Sequence, residues 1–348
     1  MNNHYDENKL SLQNSVQELI NKLNMKHDEL VQTGDIRTIT FYEERGINGA
    51  ELVNLKDGSV GIAASVLAFD SERDKNLEIK DSNGNHVCFL SEPELLIGIG
   101  TPHVVLCKDS NNLYVASYGN EYSYVACYKM GGFEKVWKTN AYGSRIQSIT
   151  VNDDYLIIFD MSDGKIKYLN KANGEFINNK NISTDYKNAQ FNIRSHHNLA
   201  TNNEKLLAGV PGLKLGLLDF ENELKLYDNY STEKLAHRKV TNLIGTLNSL
   251  AIDNNNNRVY IAFDNKVAVF SNEGYKGFFL SPKKRVTKLN YDQDTGCLMV
   301  SSADFPEGNV EVYNPSALEK LLLTSYELRS NLNSKQITDG AELNSMHM

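Results

Sequence analysis

The chain has 348 residues, 41% of them apolar and 23% charged, with a formal net charge of −8. That length suits two average domains or one large all-β domain, and the apolar share is enough to build a core. The acidic balance argues against nucleic acid or an anionic membrane surface as a partner.

Asn is used for about one residue in eight, more than twice its ordinary share, and much of it stands where turns are expected. The opening residues, MNNHYDENKLSLQNSV, carry no basic segment followed by an apolar one, which reads as no secretory signal. No apolar run approaches the 18 or so residues of a membrane span, so no membrane insertion is expected and a cytoplasmic setting is. Cys88, Cys107, Cys127 and Cys297 stand far apart in apolar stretches, without a CxxC or a Cys–His pair, and read as reduced structural thiols.

Residues 1–9 are expected to be disordered and 10–33 to form a helix, with Leu12, Val16, Leu19, Leu23 and Leu30 at 3-4 spacing and Lys26 interrupting the seam. Gly34 ends it. From Ile36 to about Tyr313 the pattern turns to period two. A strand, a polar turn and a second strand recur: DYLIIFD from Asp154 has counterparts starting at Gly58, Asn112, Lys205, Arg258 and Gly296. Most continue into a third strand and several into a fourth after a Gly-containing turn. Six such units at roughly 40 to 55 residue intervals, four strands each, are the pattern of a β-propeller. One unit cannot bury both faces of its sheet alone, so units stack around an axis.

The predicted fold is therefore an all-β, six-bladed β-propeller over residues 36–315, with seven blades as the alternative count. The sixth unit supplies only three strands, and IRTITFYEE from Ile36 is expected to pair there as the fourth, closing the ring and removing an exposed edge. Residues 316–333 are expected to form a second helix, introduced by Asn314, Pro315 and Ser316. The two helices should pack on each other or on one side of the disc. Residues 334–348 are expected to be a disordered tail.

The segment VWKTNAYGSRIQSITVNDDYLIIFDMSDGKIKYLNKANGEF resembles a quinoprotein-like (PQQ-type) propeller repeat. Trp137, Ser148, the turn Asp163-Gly164-Lys165-Ile166, Leu169 and Gly174 carry the likeness. The other units match in hydrophobic pattern alone, and the Gly-His and Trp-Asp dipeptides of WD-repeat proteins are missing. The resemblance implies a fold, since propellers host scaffolds and enzymes alike. The metal site and vicinal disulfide of the large quinoprotein dehydrogenases are not legible here, and no cofactor is expected.

Aligning the inner strands on Ile149 places Asn48, Gly100, Arg145, Ser195, Thr246 and Arg285 at the start of successive strands. This set holds no carboxylate, which weighs against a metal-holding channel of the lactonase type. Its two arginines belong to opposite blades of a six-membered ring and could receive an anion at the channel mouth. The segments read as blade-joining loops bring Lys138, Tyr142, His237, Arg238, Lys239, Lys283 and Lys284 to the same face as Arg145 and Arg285. This basic rim on an acidic body suits an acidic or phosphorylated partner. No Ser-His-Asp order, phosphate-cradling glycine loop or HExxH is present. The expectation is a non-catalytic protein-interaction module with a protein partner, in one variant a bacterial effector acting in a host cytosol. The terminal helices offer a second contact or a homo-oligomer surface. A metal-assisted hydrolase or lyase with its site at the central channel, and a small-anion or sugar sensor, are the alternatives.

Overall fold

A computed structural model describes residues 2–41, 47–66, 77–90, 103–118, 123–141, 146–160, 165–181, 198–201, 205–210, 222–228, 234–240, 247–256, 258–263, 265–271, 274–280, 285–304, 307–328 and 330. Helix α1 (Asn2–Gln32) leads into strand β1 (Ile36–Thr40). The first sheet holds β2 (Ile47–Asn54), β3 (Val60–Val66), β4 (Leu77–Asp81) and β5 (His86–Phe89). The second holds β6 (His103–Lys108), β7 (Asn112–Tyr118), β8 (Ser123–Lys129) and β9 (Glu134–Asn140). The third holds β10 (Ile146–Val151), β11 (Tyr155–Asp160), β12 (Lys165–Asn170) and β13 (Phe176–Asn181). The fourth holds β14 (Asn198–Thr201), β15 (Lys205–Val210), β16 (Asn222–Asp228) and β17 (Lys234–Val240). The fifth holds β18 (Leu247–Asp253), β19 (Arg258–Phe263), β20 (Lys266–Ser271) and β21 (Gly274–Leu280). In the last, β22 (Val286–Asp292), β23 (Cys297–Asp304) and β24 (Glu307–Tyr313) are joined by β1. Helix α2 follows at 315–328.

Every sheet is an antiparallel meander except the last, which β1 completes by pairing with β24 from Ile36↔Tyr313 to Thr40↔Asn309. The first strands of the sheets neighbour one another in the order β2, β6, β10, β14, β18, β22 and back to β2. This is a β-propeller. Side chains are described in five of the sheets, and for the fourth the strand pairing alone.

The core lies between sheets. Val53, Ala63 and Ile79 of the first pack on Val104, Leu106, Val115 and Tyr128 of the second. Val105, Tyr114 and Cys127 of the second pack on Ile149, Leu156 and Ile158 of the third. Middle strands of the sheets whose side chains are described thus bury residues on both faces, which is why such units stack rather than stand alone. The hairpin turns are fixed by Asx side chains. Asp81, Asp109, Asn152 and Asp292 each accept a hydrogen bond from the amide two residues on. Asn170 and Asn173 accept in the same way as Asn152, which gives part of the heavy Asn use its structural place.

Helix α1 begins at Asn2 rather than Leu10, as its first turns hold no Pro or Gly to stop it. Leu23 and Leu30 are fully buried, Leu19 nearly so, and His27 takes the seam position that Lys26 was read as breaking. Leu19 and Leu23 pack with Leu328 of α2, while Leu30 joins Leu318, Leu321, Tyr260 and Phe279 in the core shared by the last two sheets. The two helices therefore pack on each other and against one sector of the ring. Asn314 caps α2, its Oδ1 accepting the Ala317 amide at 2.8 Å. Asp35, at the start of β1, takes hydrogen bonds from Asn314 Nδ2 at 3.1 Å and Lys320 Nζ at 2.6 Å. Residues 334–348 lie outside the described residues.

Candidate functional site

The inner strands enclose a cavity of about 380 Å³ at their C-terminal ends, lined from β2, β6, β10, β18 and β22 and the turns that follow them. Its lining is polar and charged. From β2 comes Glu51, and from β6 and its turn Lys108 and Asp109. Lys288, Asn290 and Asp292 come from β22, and Lys171 reaches in from the turn after β12.

These groups form links across sheet boundaries. Lys108 Nζ lies 3.1 Å from Asp292 Oδ1, joining the second sheet to the last over the inner strand of the first. Lys171 Nζ lies 3.2 Å from Asp109 Oδ2 and donates to the Asn152 carbonyl at 2.9 Å. Asn290 Nδ2 donates to Glu51 Oε1. Gln293 Nε2 donates to the Ile252 carbonyl at 2.6 Å, and its Oε1 accepts the Asn254 amide at 3.1 Å. The channel end is thus tied by side chains of residues far apart in sequence.

Burial sets the protonation of the centre. Glu51 is 5% exposed, and removal from water pushes its carboxyl up to about 8, against the opposing pull of Lys108, the Asn290 hydrogen bond and Lys288. Lys288 is 8% exposed, and burial lowers its ammonium pKa, with Glu51 acting against the shift. The Cys107 thiol, also at the cavity wall, is raised well above its ordinary value by burial and then by Glu51 and Asp109, so it is an unreactive thiol at neutral pH. The four cysteines are free thiols, Cys107 and Cys127 buried. Among the described residues no group of three or more His, Cys, Asp or Glu is placed to hold a metal ion.

A repeated irregularity explains how Lys288 gets there. The inner strands β2, β10, β18 and β22 each slip register once near their start, before Gly49, Ser148, Ser249 and Lys288. Such a bulge re-aims the next side chain. Two of the four positions carry a buried serine, and Ser249 Oγ accepts the Leu289 amide at 2.9 Å. In β22 a lysine stands there instead, and across the boundary the first sheet has Gly49. A Cβ on Gly49 would lie 3.3 Å from Lys288 Cγ.

The rim residues read from the sequence fall elsewhere. Lys138 lies within β9, paired with Ala126, not in a blade-joining loop, and its ammonium sits 4.4 Å from the centre of the Tyr124 ring. Arg238 and Lys239 are in β17, opposite Leu224 and Glu223, so the segment read as a loop is an outer strand. Arg285 is exposed and immediately precedes β22. Tyr142, Arg145, Lys283 and Lys284 lie outside the described residues. The described charged cluster is at the opposite ends of the inner strands from the positions the alignment sampled. Its signal was a single charged residue inside an apolar inner strand, as in GAELVN and VTKLNY.

Comparison with protein-family models finds no match, and comparison with curated proteins likewise finds none. The fold is what classes the chain: an all-β propeller with flanking helices. Among the described residues no helix is long and apolar enough to cross a membrane.

Proposed function

We propose that the chain is a non-catalytic protein-interaction module. The observation that carries this reading is a run of exposed apolar side chains on the outer strands of three consecutive sheets. Val87 on β5, Val136 on β9, and Phe176 and Ile177 on β13 are 42% to 54% exposed. Each of those strands ends its sheet, and among the described strands none pairs with its outer edge. A partner protein lying along this rim would cover apolar surface and engage the edges together. Met25, Leu323 and Tyr326, 58% to 70% exposed on the two helices, support a second contact there, including one with another copy of the chain. The basic side chains Lys138, Arg238, Lys239 and Arg285 would add attraction for an acidic partner. Action in a host cytosol as a bacterial effector is the extension of this reading that the Asn-rich composition supports.

The test replaces Val136 and Ile177 together by Lys and compares stoichiometric capture of a partner with the unmodified chain. Both sites are exposed, so the melting temperature should hold while capture falls at least tenfold. Equal capture by a normally folded double variant would remove the rim from the reading.

A further inference from the structure

We propose that the channel holds a covalent carbonyl-binding site in which the Lys288 amine forms an imine with a small, uncharged aldehyde and Glu51 moves the proton. The proposal is independent of the protein-interaction reading.

The site is built. Lys288 is more than nine-tenths buried and lines the cavity, yet among the described residues it makes no hydrogen bond and no ion pair within 4 Å. A buried amine without a partner is costly unless it is neutral or has a ligand to meet. Its stem is housed by the missing side chain of Gly49, and it replaces the serine of the equivalent bulges in β10 and β18. Glu51 lines the same cavity, held by Asn290. The groups that bear on Lys288 are Glu51 and Cys107, with Lys108 and Asp292 beyond Glu51. Burial favours the neutral form of both partners, a nucleophilic amine beside a protonated acid.

The chemistry balances with those two groups alone. The nitrogen lone pair forms the C–N bond while the carbonyl π pair moves to oxygen. Glu51 gives that oxygen its proton and takes one from the new ammonium, leaving a carbinolamine. The same proton then goes to the hydroxyl, the C–O bond breaks, water leaves, and the nitrogen lone pair completes the C=N bond. The products are a protonated imine and the Glu51 carboxylate, an ion pair in place of two neutral groups. The aldehyde is uncharged because carboxylates outnumber amines in the lining: Glu51, Asp109, Asp153, Asp292 and Asp294 against Lys108, Lys171 and Lys288.

The experiment treats the full chain with propionaldehyde and cyanoborohydride at about pH 6.5, where only about one ordinary lysine amine in 10⁴ is neutral. Peptide mapping then compares Lys288 with exposed Lys56. Alkylation of Lys288 at least ten times faster than of Lys56 in the folded chain, with the difference erased in urea, is the expected result. Equal or slower labelling of Lys288 in the folded chain would overturn the site. Glu51→Gln should slow labelling of Lys288 at least tenfold while leaving Lys56 unchanged, and an unchanged Lys288 rate in a folded Glu51→Gln chain would overturn the role given to Glu51.

Discussion

Substituting Gly174 by Ala isolates a latch between neighbouring sheets. Gly174 closes the β12–β13 turn, its amide donating to the Asn170 carbonyl at 2.8 Å, with φ at +74°. An added Cβ would stand 2.5 Å from Trp137 Cε3 and from Thr139 Oγ1 of β9. The backbone conformation alone costs an alanine about 1–2 kcal/mol. Moving the indole aside breaks the hydrogen bond from Trp137 Nε1 to the Lys171 carbonyl at 2.8 Å, and Thr139 loses its bond to the Gly174 carbonyl at 2.9 Å. Those bonds are worth about 1 kcal/mol each, and repacking adds about 1–3. The total is about 5 kcal/mol. With an unfolding entropy of about 2.1 cal/mol/K per residue over this length, the midpoint should fall by about 7 °C. Gly58→Ala is the control, since Gly58 also has positive φ, at +84°, but nothing within 4 Å of a new Cβ. It should lose about 2 °C. Trp137 is the chain's one tryptophan, so its fluorescence reports the latch while circular dichroism reports the whole. If Gly174→Ala and Gly58→Ala melt together with identical Trp emission, the latch is not formed as described.

Three more outcomes are expected. Lys108→Met leaves the Asp292 carboxylate, 3% exposed, without its cross-channel partner and should cost about 3–5 kcal/mol by chemical denaturation, with Asp292→Asn restoring part of it. Glu51 has a folded pKa above its unfolded one, so the folded state holds an extra proton between about 4.5 and 8. The stability from this group is full below that window and is lost as pH rises through about 8, by no more than about 1.4 kcal/mol per unit. The lowered pKa of Lys288 works in the opposite sense, its folded state binding fewer protons below its ordinary value. Glu51→Gln isolates the carboxyl: the stability gap between variant and parent should shift in the variant's favour as pH rises from 5 to 8, and a flat gap would refute the buried acid. Leu30→Ala should cost about 2–5 kcal/mol because Leu30 sits in the core shared by helix and ring, whereas Met25→Ala at 70% exposure should change stability by under about 0.5.

Much of the scaffold can be read from local patterns. DYLIIFD and its copies become the second strands of the sheets, and where their side chains are described residues are buried on both faces, an environment that stacked sheets provide. The pairing of IRTIT with the strand ending at Tyr313, and the cap at Asn314, also follow from short stretches. The channel cluster does not. Glu51, Lys108, Lys288 and Asp292 come from three sheets, and their meeting depends on ring closure and on a one-residue slip that hydrophobic period does not reveal. The alignment on Ile149 already sets Lys288 level with Ser148 and Ser249, and what it does not reveal is the bulge that re-aims that position. Arg238 and Lys239 were misplaced for a different reason: a strand at the end of a sheet tolerates charge and looks like a loop in composition.

The pairing of β1 with β24 also sets an order of events during synthesis. Among the described strands β1 is made first, yet its partner is the one made last. Until β24 emerges, Ile36 and Ile39 have no strand to pair with, and until β22 and β23 emerge the sheet of β2–β5 has no neighbour on one side. Among the described strand pairs this one closes the longest loop and so carries the largest closure entropy. Early meanders can form as they emerge, but the ring becomes one cooperative body only at the final step. Moving the start of the chain to a turn within another sheet, with a linker joining α2 to α1, would make β1 and β24 neighbours in sequence but hand the long closure to the two strands flanking the cut, so the last step would change its place in the ring and not its length.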